Sequence, residues 1–414
     1  MFMTIYLDRL ISFLIFIGFS FFLIVPKGGG VILAILFLSI IGLFLNRNTK
    51  KDIEKWEKLF LIGYIVYFLI VLFSNFISHG DLRDIDTASR FILVIPIYLY
   101  LRKSNVNHKS IEYGALLFCI MLGINFILPY FHVVEQFFQF SKDLGIISLY
   151  GALIGVGSLF ILSKNNSLSY NFIILFGALL GISASILAGG RGSWIAAFLT
   201  TIIFFFLNPL RWSKFKKSLF FYFIIIFSLM GYLIPETGVK HRIDQGLEDI
   251  LMYDENRLSE TGAGQALGSV GARLEMWRSA LYIFKQNPIF GVGEGNFKEK
   301  NTELINKGLI NSKTIEFLHP HSEYLSTLVE QGLVGLCALL FLFLNPLIKC
   351  YKELKLEPRN PNSNVLLVFT ASLILHFLFY SFTNGVFDHQ NTTLFFAAYV
   401  VIGMGLFSSI KDKF

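Results

Sequence analysis

Leu59-Phe60-Leu61-Ile62-Gly63-Tyr64-Ile65-Val66-Tyr67-Phe68-Leu69-Ile70-Val71-Leu72-Phe73-Ser74-Asn75-Phe76-Ile77 runs for 19 residues without one acidic or basic side chain. As a helix this stretch spans about 28 Å, close to the thickness of a bilayer's hydrocarbon core. Backbone amides in lipid find no water, so only helices and closed barrels can cross. A barrel strand would alternate apolar and polar residues, and this run does not alternate. Leu10–Val25, Val31–Leu45 and Val365–Phe382 read the same way. The fold class is therefore all-α, a polytopic membrane protein.

Composition agrees with the local reading. The chain has 414 residues, 54% hydrophobic and 15% charged, with mean hydropathy +0.63. A soluble domain of this length needs more polar surface. Twelve spans are expected, near 10–26, 28–45, 59–77, 87–101, 111–131, 145–163, 170–188, 193–209, 218–235, 332–348, 365–382 and 392–410. The fourth has the shortest purely apolar core, Phe91–Leu101. The N-terminal run has no small-x-small cleavage site and leads straight into a second span, so it reads as a retained helix rather than a signal peptide.

Lys and Arg residues set the expected orientation. One side holds 20 of them; the short connections on the other hold Lys27, Arg83, Arg90, Lys142 and Arg191. Both termini are expected to be cytoplasmic. The segment 236–331 then forms a large external loop, between helices one to nine (1–235) and ten to twelve (332–414). The net charge of +7 follows from this bias, so nucleic-acid binding is not expected. Cys119, Cys337 and Cys350 lack metal-ligand spacing and read as small buried hydrophobes. No internal repeat is visible.

The external loop has soluble character. A mixed-charge segment, Glu236–Glu260, is followed by a small-residue turn, Thr261–Ser269. Ala272–Gln286 reads as an amphipathic helix closed by Asn287-Pro288. Gly291-Val292-Gly293-Glu294-Gly295 lacks the following Gly-Lys-Ser/Thr of a phosphate loop and reads as a turn. His319-Pro320-His321-Ser322-Glu323-Tyr324 opens the helix into span ten.

Three residues here could carry chemistry. Arg191 sits in Gly189-Gly190-Arg191-Gly192-Ser193, a short outer turn at headgroup level. A buried-edge arginine needs the interface or a partner; Ser193 can cap the next helix. A snorkelling arginine that only fixes the turn would look the same. Arg273, in Gly271-Ala272-Arg273-Leu274-Glu275-Met276-Trp277, is placed in the first turn of its helix and offers a planar fork for phosphate oxygens. Glu275, two residues on, cannot share its face. Pro320 suits a first helical position, placing His321 in the first turn, where the helix dipole keeps imidazole neutral, as a base requires. His319 is chemically an equal candidate. Asp84-Ile85-Asp86, with Asp81, is a rival acidic cluster of the kind that can hold a divalent metal. The last outer loop, Asn384–Gln390, is polar and could line a cavity.

Taken together, these motifs resemble the O-antigen ligase family. The resemblance rests on Gly-Arg-Gly-Ser-Trp, Gly-Ala-Arg-Leu-Glu-Met-Trp, Asn-Pro-Ile-Phe-Gly-Val-Gly and His-Pro-His-Ser-Glu-Tyr ahead of Glu-Gln-Gly, all within about 189–335. It implies a GT-C-like, bacterial inner-membrane glycosyltransferase without cofactor or metal. Such an enzyme moves a glycan from undecaprenyl diphosphate to lipid A–core on the periplasmic face. Carried over by residue, the resemblance makes His321 rather than His319 the catalytic base. It makes Arg191 and Arg273 the ligands of the donor diphosphate. Beside the resemblance, His319, Glu323 and Tyr324 are expected as supporting residues around His321. The expected outcome is inversion at the anomeric carbon in lipopolysaccharide biosynthesis. A polymerase of O-antigen or exopolysaccharide would use the same donor. A protein-glycosylating relative, which generally has a larger C-terminal outer region, fits less well. A flippase or transporter would carry charges and broken helices near the midplane, where these spans are clean.

Overall fold

The computed structural model describes residues 2–22, 28–46, 51–81, 83, 85–130, 144–159, 167–207, 232–233, 238–251, 253, 268–356 and 361–411. Among these residues the chain is all-helical, with no strand. In chain order the first helices are α1 (Phe2–Phe21), α2 (Gly29–Leu45), α3 (Lys55–Ile77), α4 (Asp86–Leu93), α5 (Ile95–Leu101) and α6 (Lys109–Tyr130). There follow α7 (Leu144–Leu159), α8 (Leu168–Ala188), α9 (Arg191–Leu207), α10 (Val239–Leu251), α11 (Ser269–Gln286) and α12 (Phe297–Asn306). The last are α13 (Glu323–Glu330), α14 (Gly332–Lys355), α15 (Pro361–Tyr380) and α16 (Gln390–Lys411). Seven of these helices are long and apolar enough to cross a membrane, and Gly29–Leu45, Gly145–Ser158 and Arg191–Leu207 are shorter apolar helices. The protein is a multi-pass membrane protein. Eleven of the twelve expected spans fall on described helices. The ninth, 218–235, lies outside the described residues except for Tyr232 and Leu233.

The fourth expected span is two short helices meeting at Val94. Pro96 explains the break: it cannot donate to the carbonyl of Ile92, and its ring crowds that carbonyl. α16 is the hub. Its apolar stretch is wholly buried, and it packs on α15, α5, α4 and α2. Cys119 and Cys350 are buried as expected, whereas Cys337 is exposed on the outside of α14. In a bilayer that side is covered by lipid, so a small apolar side chain is at home there as well.

The bundle has two chemically different ends. At one, Arg102 and Glu57, 1% and 0% exposed, form a two-pronged pair at 2.8 and 2.9 Å. Tyr98 and Ser408 hydroxyls also donate to Glu57, and Lys51 donates to the Arg102 carbonyl. At the other end, residues 268–331 build a separate small core from Met276, Ala280, Ile283, Phe297, Leu304, Ile310 and Val329. Gly291, Gly293 and Gly295, all at positive φ, form the expected turn. Val292 and Gly293 amides donate to the carbonyls of Val329 and Glu330, clasping the end of α13. Ser74 of α3 donates to the same Glu330 carbonyl.

Candidate functional site

The turn between α8 and α9 is shaped by its glycines. Gly189, at φ 77°, ends α8 in the left-handed conformation, a position glycine occupies without strain. A Cβ on Gly192 would stand 2.2 Å from Thr383 Oγ1 and 3.2 Å from the Tyr380 ring, so the turn lies against the end of α15 only because no side chain is there. α9 begins at Arg191 itself. Ser193 is therefore inside the helix, buried and without a hydrogen bond on its hydroxyl, and is not the cap expected from sequence.

The Arg191 guanidinium donates to the Arg242 carbonyl at 3.0 Å and to Ser269 Oγ at 2.5 Å. The Arg242 guanidinium donates to the Gly189 carbonyl at 3.0 Å. Two residues that sequence reading did not single out thus tie α10 and the start of α11 to the turn. Arg273 lies in the second turn of α11 rather than the first, because that helix starts at Ser269. It is half-buried, and burial lowers its pKa, with the neighbouring charge of Arg191 acting in the same direction and Tyr380 opposing. Arg191 meets α11 at Ser269, one turn before Arg273 and on the same face, so the two arginines are neighbours. Among the described residues neither meets a carboxylate at ion-pair distance. Glu275 faces away from Arg273, as its spacing requires. It accepts from Tyr253 and the Asn311 amide, with Arg278 at 3.6 Å.

α11 also reaches the histidine. Trp277, one turn beyond Arg273 and on the same face, donates its indole N–H to the Pro320 carbonyl at 3.0 Å. His321 adopts φ 50° and lies outside the helix, which starts at Glu323 with Ser322 as the flanking residue. The expectation of a first-turn histidine fails because Ser322 is extended and its carbonyl takes the first helical bond, from Ser326. His321 packs edge-on to Phe317 at 5.7 Å and to His319 at 4.5 Å. Burial lowers its pKa to about 4, helped by the fields of His319, Arg273 and His389. The neutral ring is thus secured by desolvation and the charge of nearby Arg273 rather than by a helix end.

The three supporting candidates brace this loop. Glu323, buried, donates its amide to the Ser381 and Asn384 carbonyls and accepts from the Phe387 amide. Tyr324 donates to the Leu378 carbonyl at 2.7 Å. His319 Nδ1 accepts from the His321 amide at 3.3 Å and stands 3.1 Å from Asp388 Oδ2. While Nδ1 accepts, Asp388 Oδ2 has no donor; a proton on Nδ1 would convert the contact to an ion pair. Asp388 belongs to the polar last loop noted in the sequence. Beneath it, Glu294, Glu323, Glu330 and Asp388 line a cavity with room for about one water. Burial and mutual repulsion push the Glu323 and Glu330 carboxyls well above the usual range.

Among the described residues no three His, Cys, Asp or Glu side chains are grouped to hold a metal ion. Of the rival acidic cluster, Asp84 lies outside the described residues, while Asp86 pairs with Arg90 at 2.8 Å.

Comparison with known proteins places this site in context. An uncharacterized protein of Haemophilus influenzae is 28% identical over 395 residues, covering 93% of this chain and 95% of the relative. The ComP-specific O-oligosaccharyltransferase of Acinetobacter baylyi is 24% identical over 345 residues, covering 77% of this chain and 58% of that protein. The O-antigen ligase family model matches residues 176–340. The matched segment is the one in which the resembling motifs lie, and Arg191, Arg273 and His321 all fall within it.

Proposed function

We propose that the protein is an O-antigen ligase that transfers a glycan from undecaprenyl diphosphate to lipid A–core on the periplasmic face of the bacterial inner membrane. The observation that carries this reading is a pair of arginines, Arg191 seated on Ser269 and Arg273 one turn further along the same helix, with no carboxylate at ion-pair distance among the described residues, beside the His321 imidazole at one end of a membrane bundle. Two guanidiniums so placed suit a diphosphate, whose charge grows as the glycosidic bond breaks. They provide the charge stabilisation that a divalent metal would otherwise supply.

In the step proposed, an acceptor hydroxyl attacks the anomeric carbon while the carbon–oxygen bond to the diphosphate breaks. The bonding electrons leave on the diphosphate, held by Arg191 and Arg273. His321 takes the hydroxyl proton as attack proceeds, because a sugar hydroxyl is too weak an acid to ionise first. Displacement in line inverts the anomeric centre. His319, Glu323 and Tyr324 position the His321 loop against the 381–388 segment. The donor is lipid-anchored, and the Arg191 turn between two apolar helices suits the height of its diphosphate.

The deciding experiment reconstitutes the purified protein with undecaprenyl-diphosphate-linked glycan and lipid A–core. Glycan on lipid A–core is the expected product. Growth of the donor glycan instead would make the protein a polymerase. The Acinetobacter baylyi relative, a ComP-specific O-oligosaccharyltransferase by name, favours one second reading, glycan transfer to a protein. An acceptor-protein arm of the same assay tests it.

A further inference from the structure

α10 has three distinct faces. Its half-buried residues Arg242, Gly246 and Asp249 recur at helical spacing and form the seam against the protein. Arg242 is tied to Gly189 and Arg191, a Cβ on Gly246 would stand 3.0 Å from Arg191 Nη1, and Asp249 accepts from the Val270 amide at 3.1 Å. Next around the helix come Ile243, Leu247, Ile250 and Leu251, which are 41%, 55%, 53% and 86% exposed. At about 100° per residue these four fall within one quadrant or so, with Lys240 at its N-terminal edge. Asp244, Glu248, His241 and Gln245 complete the turn as a polar face, all exposed.

Exposed aliphatics in such density are not a surface that water favours. Their position identifies what covers them. The seam binds α10 to the turn joining α8 and α9, two apolar helices that end there. One turn into α9, Ile195 and Phe198 are 52% and 53% exposed, as residues facing acyl chains are. The aliphatic stripe therefore lies at the level where the lipid-facing belt of the bundle gives way to headgroups. An apolar face, a polar face and a cation at the edge describe a helix lying in the plane of the interface.

We propose that α10 is an interfacial helix whose Ile243–Leu247–Ile250–Leu251 stripe rests in the headgroup–acyl boundary of the bilayer. Its occupant is phospholipid. Because the opposite seam accepts and shields the Arg191 guanidinium, seating this helix in the lipid fixes the depth of Arg191. The inference rests on the membrane fold and the contacts of α10, and holds whichever acceptor the enzyme uses.

The test places an environment-sensitive nitrobenzoxadiazole probe on the full-length chain in phosphatidylethanolamine–phosphatidylglycerol vesicles. Leu247→Cys puts it on the stripe, and Glu248→Cys, its sequence neighbour, puts it on the polar face. Both are made with Cys337→Ser, and Cys337→Ser alone measures background from the buried Cys119 and Cys350. The stripe probe is expected to show blue-shifted emission and to be quenched by lipid spin-labelled near the headgroup, at any protein-to-lipid ratio. The Glu248 probe is expected to show water-like emission without that quenching. Water-like emission from both probes would overturn the proposal. A blue shift at position 247 that disappears on dilution into excess lipid would do so too, and would assign the stripe to a second copy of the chain.

Discussion

At His321, the ring is enclosed by Phe317, His319 and the field of Arg273, so its proton affinity falls below that of histidine in water. Two consequences carry opposite signs for stability and activity. The unfolded chain binds a proton near pH 6.5 but the folded site does so only near pH 4. Stability from this group is complete above about 6.5 and is lost as pH falls toward 4. Activity, in contrast, is expected to keep the proposed base over the same window. The acidic limb of kcat/KM is expected to lie well below that of free imidazole, and a limb at or above the histidine value would count against His321 as the base. Arg273 separates charge from shape. Arg273→Ala is expected to lower kcat by about 10²–10³-fold. Arg273→Lys should recover part of that loss, since an ammonium keeps the charge but not the fork. A lysine variant as inactive as alanine would show that the fork dominates.

Among the elements, the α8–α9 turn makes the sharpest demand. Gly192→Ala brings a methyl to 2.2 Å from Thr383 Oγ1, 3.1 Å from Asn384 Nδ2 and 3.2 Å from the Tyr380 ring, so either these side chains or the turn that carries Arg191 must shift. Transfer activity is expected to fall at least as far as one lost hydrogen bond, about 1 kcal/mol or roughly fivefold. Thr383→Ala in the same molecule should restore it in part, which a double-mutant cycle would read. Equal activity in Gly192→Ala and wild type would show that the close approach is not needed. This is also where sequence reading reached its limit. Apolar runs place helices because lipid tolerates little else, and the brevity of Phe91–Leu101 already marked the weak span that Pro96 divides. Helix starts were less legible. Pro320 fits a first helical position by its ring geometry, yet Ser322 is the residue whose carbonyl takes the first bond. Arg242 and Ser269 carry no local signal, and the motif that holds Trp277 and the polar loop that holds Asp388 do not say what either residue touches. They join the site only through packing of α10, α11 and the last loop.

For the molecule as a whole, the two ends of the bundle should fail independently. Glu57 and Arg102 lie at the end remote from His321, and each is buried with several partners. Glu57→Gln strands a buried guanidinium, which costs about 3–5 kcal/mol in comparable cases. The expected result is a clear fall in the thermal midpoint in detergent, with turnover per folded molecule unchanged. A fall in turnover at full stability would instead reveal communication along α3 and α16.

The left-handed backbone at His321 bears on how the loss of its ring can be studied. φ 50° disfavours a side chain with a Cβ by about 1–2 kcal/mol, and glycine bears no such penalty. His321→Gly is therefore expected to be more stable than His321→Ala and to keep the loop in shape around a vacancy the size of a five-membered ring. Imidazole added to the medium can enter that vacancy. Dose-dependent return of turnover in His321→Gly, absent in Arg273→Ala, would distinguish a missing base from a disordered loop.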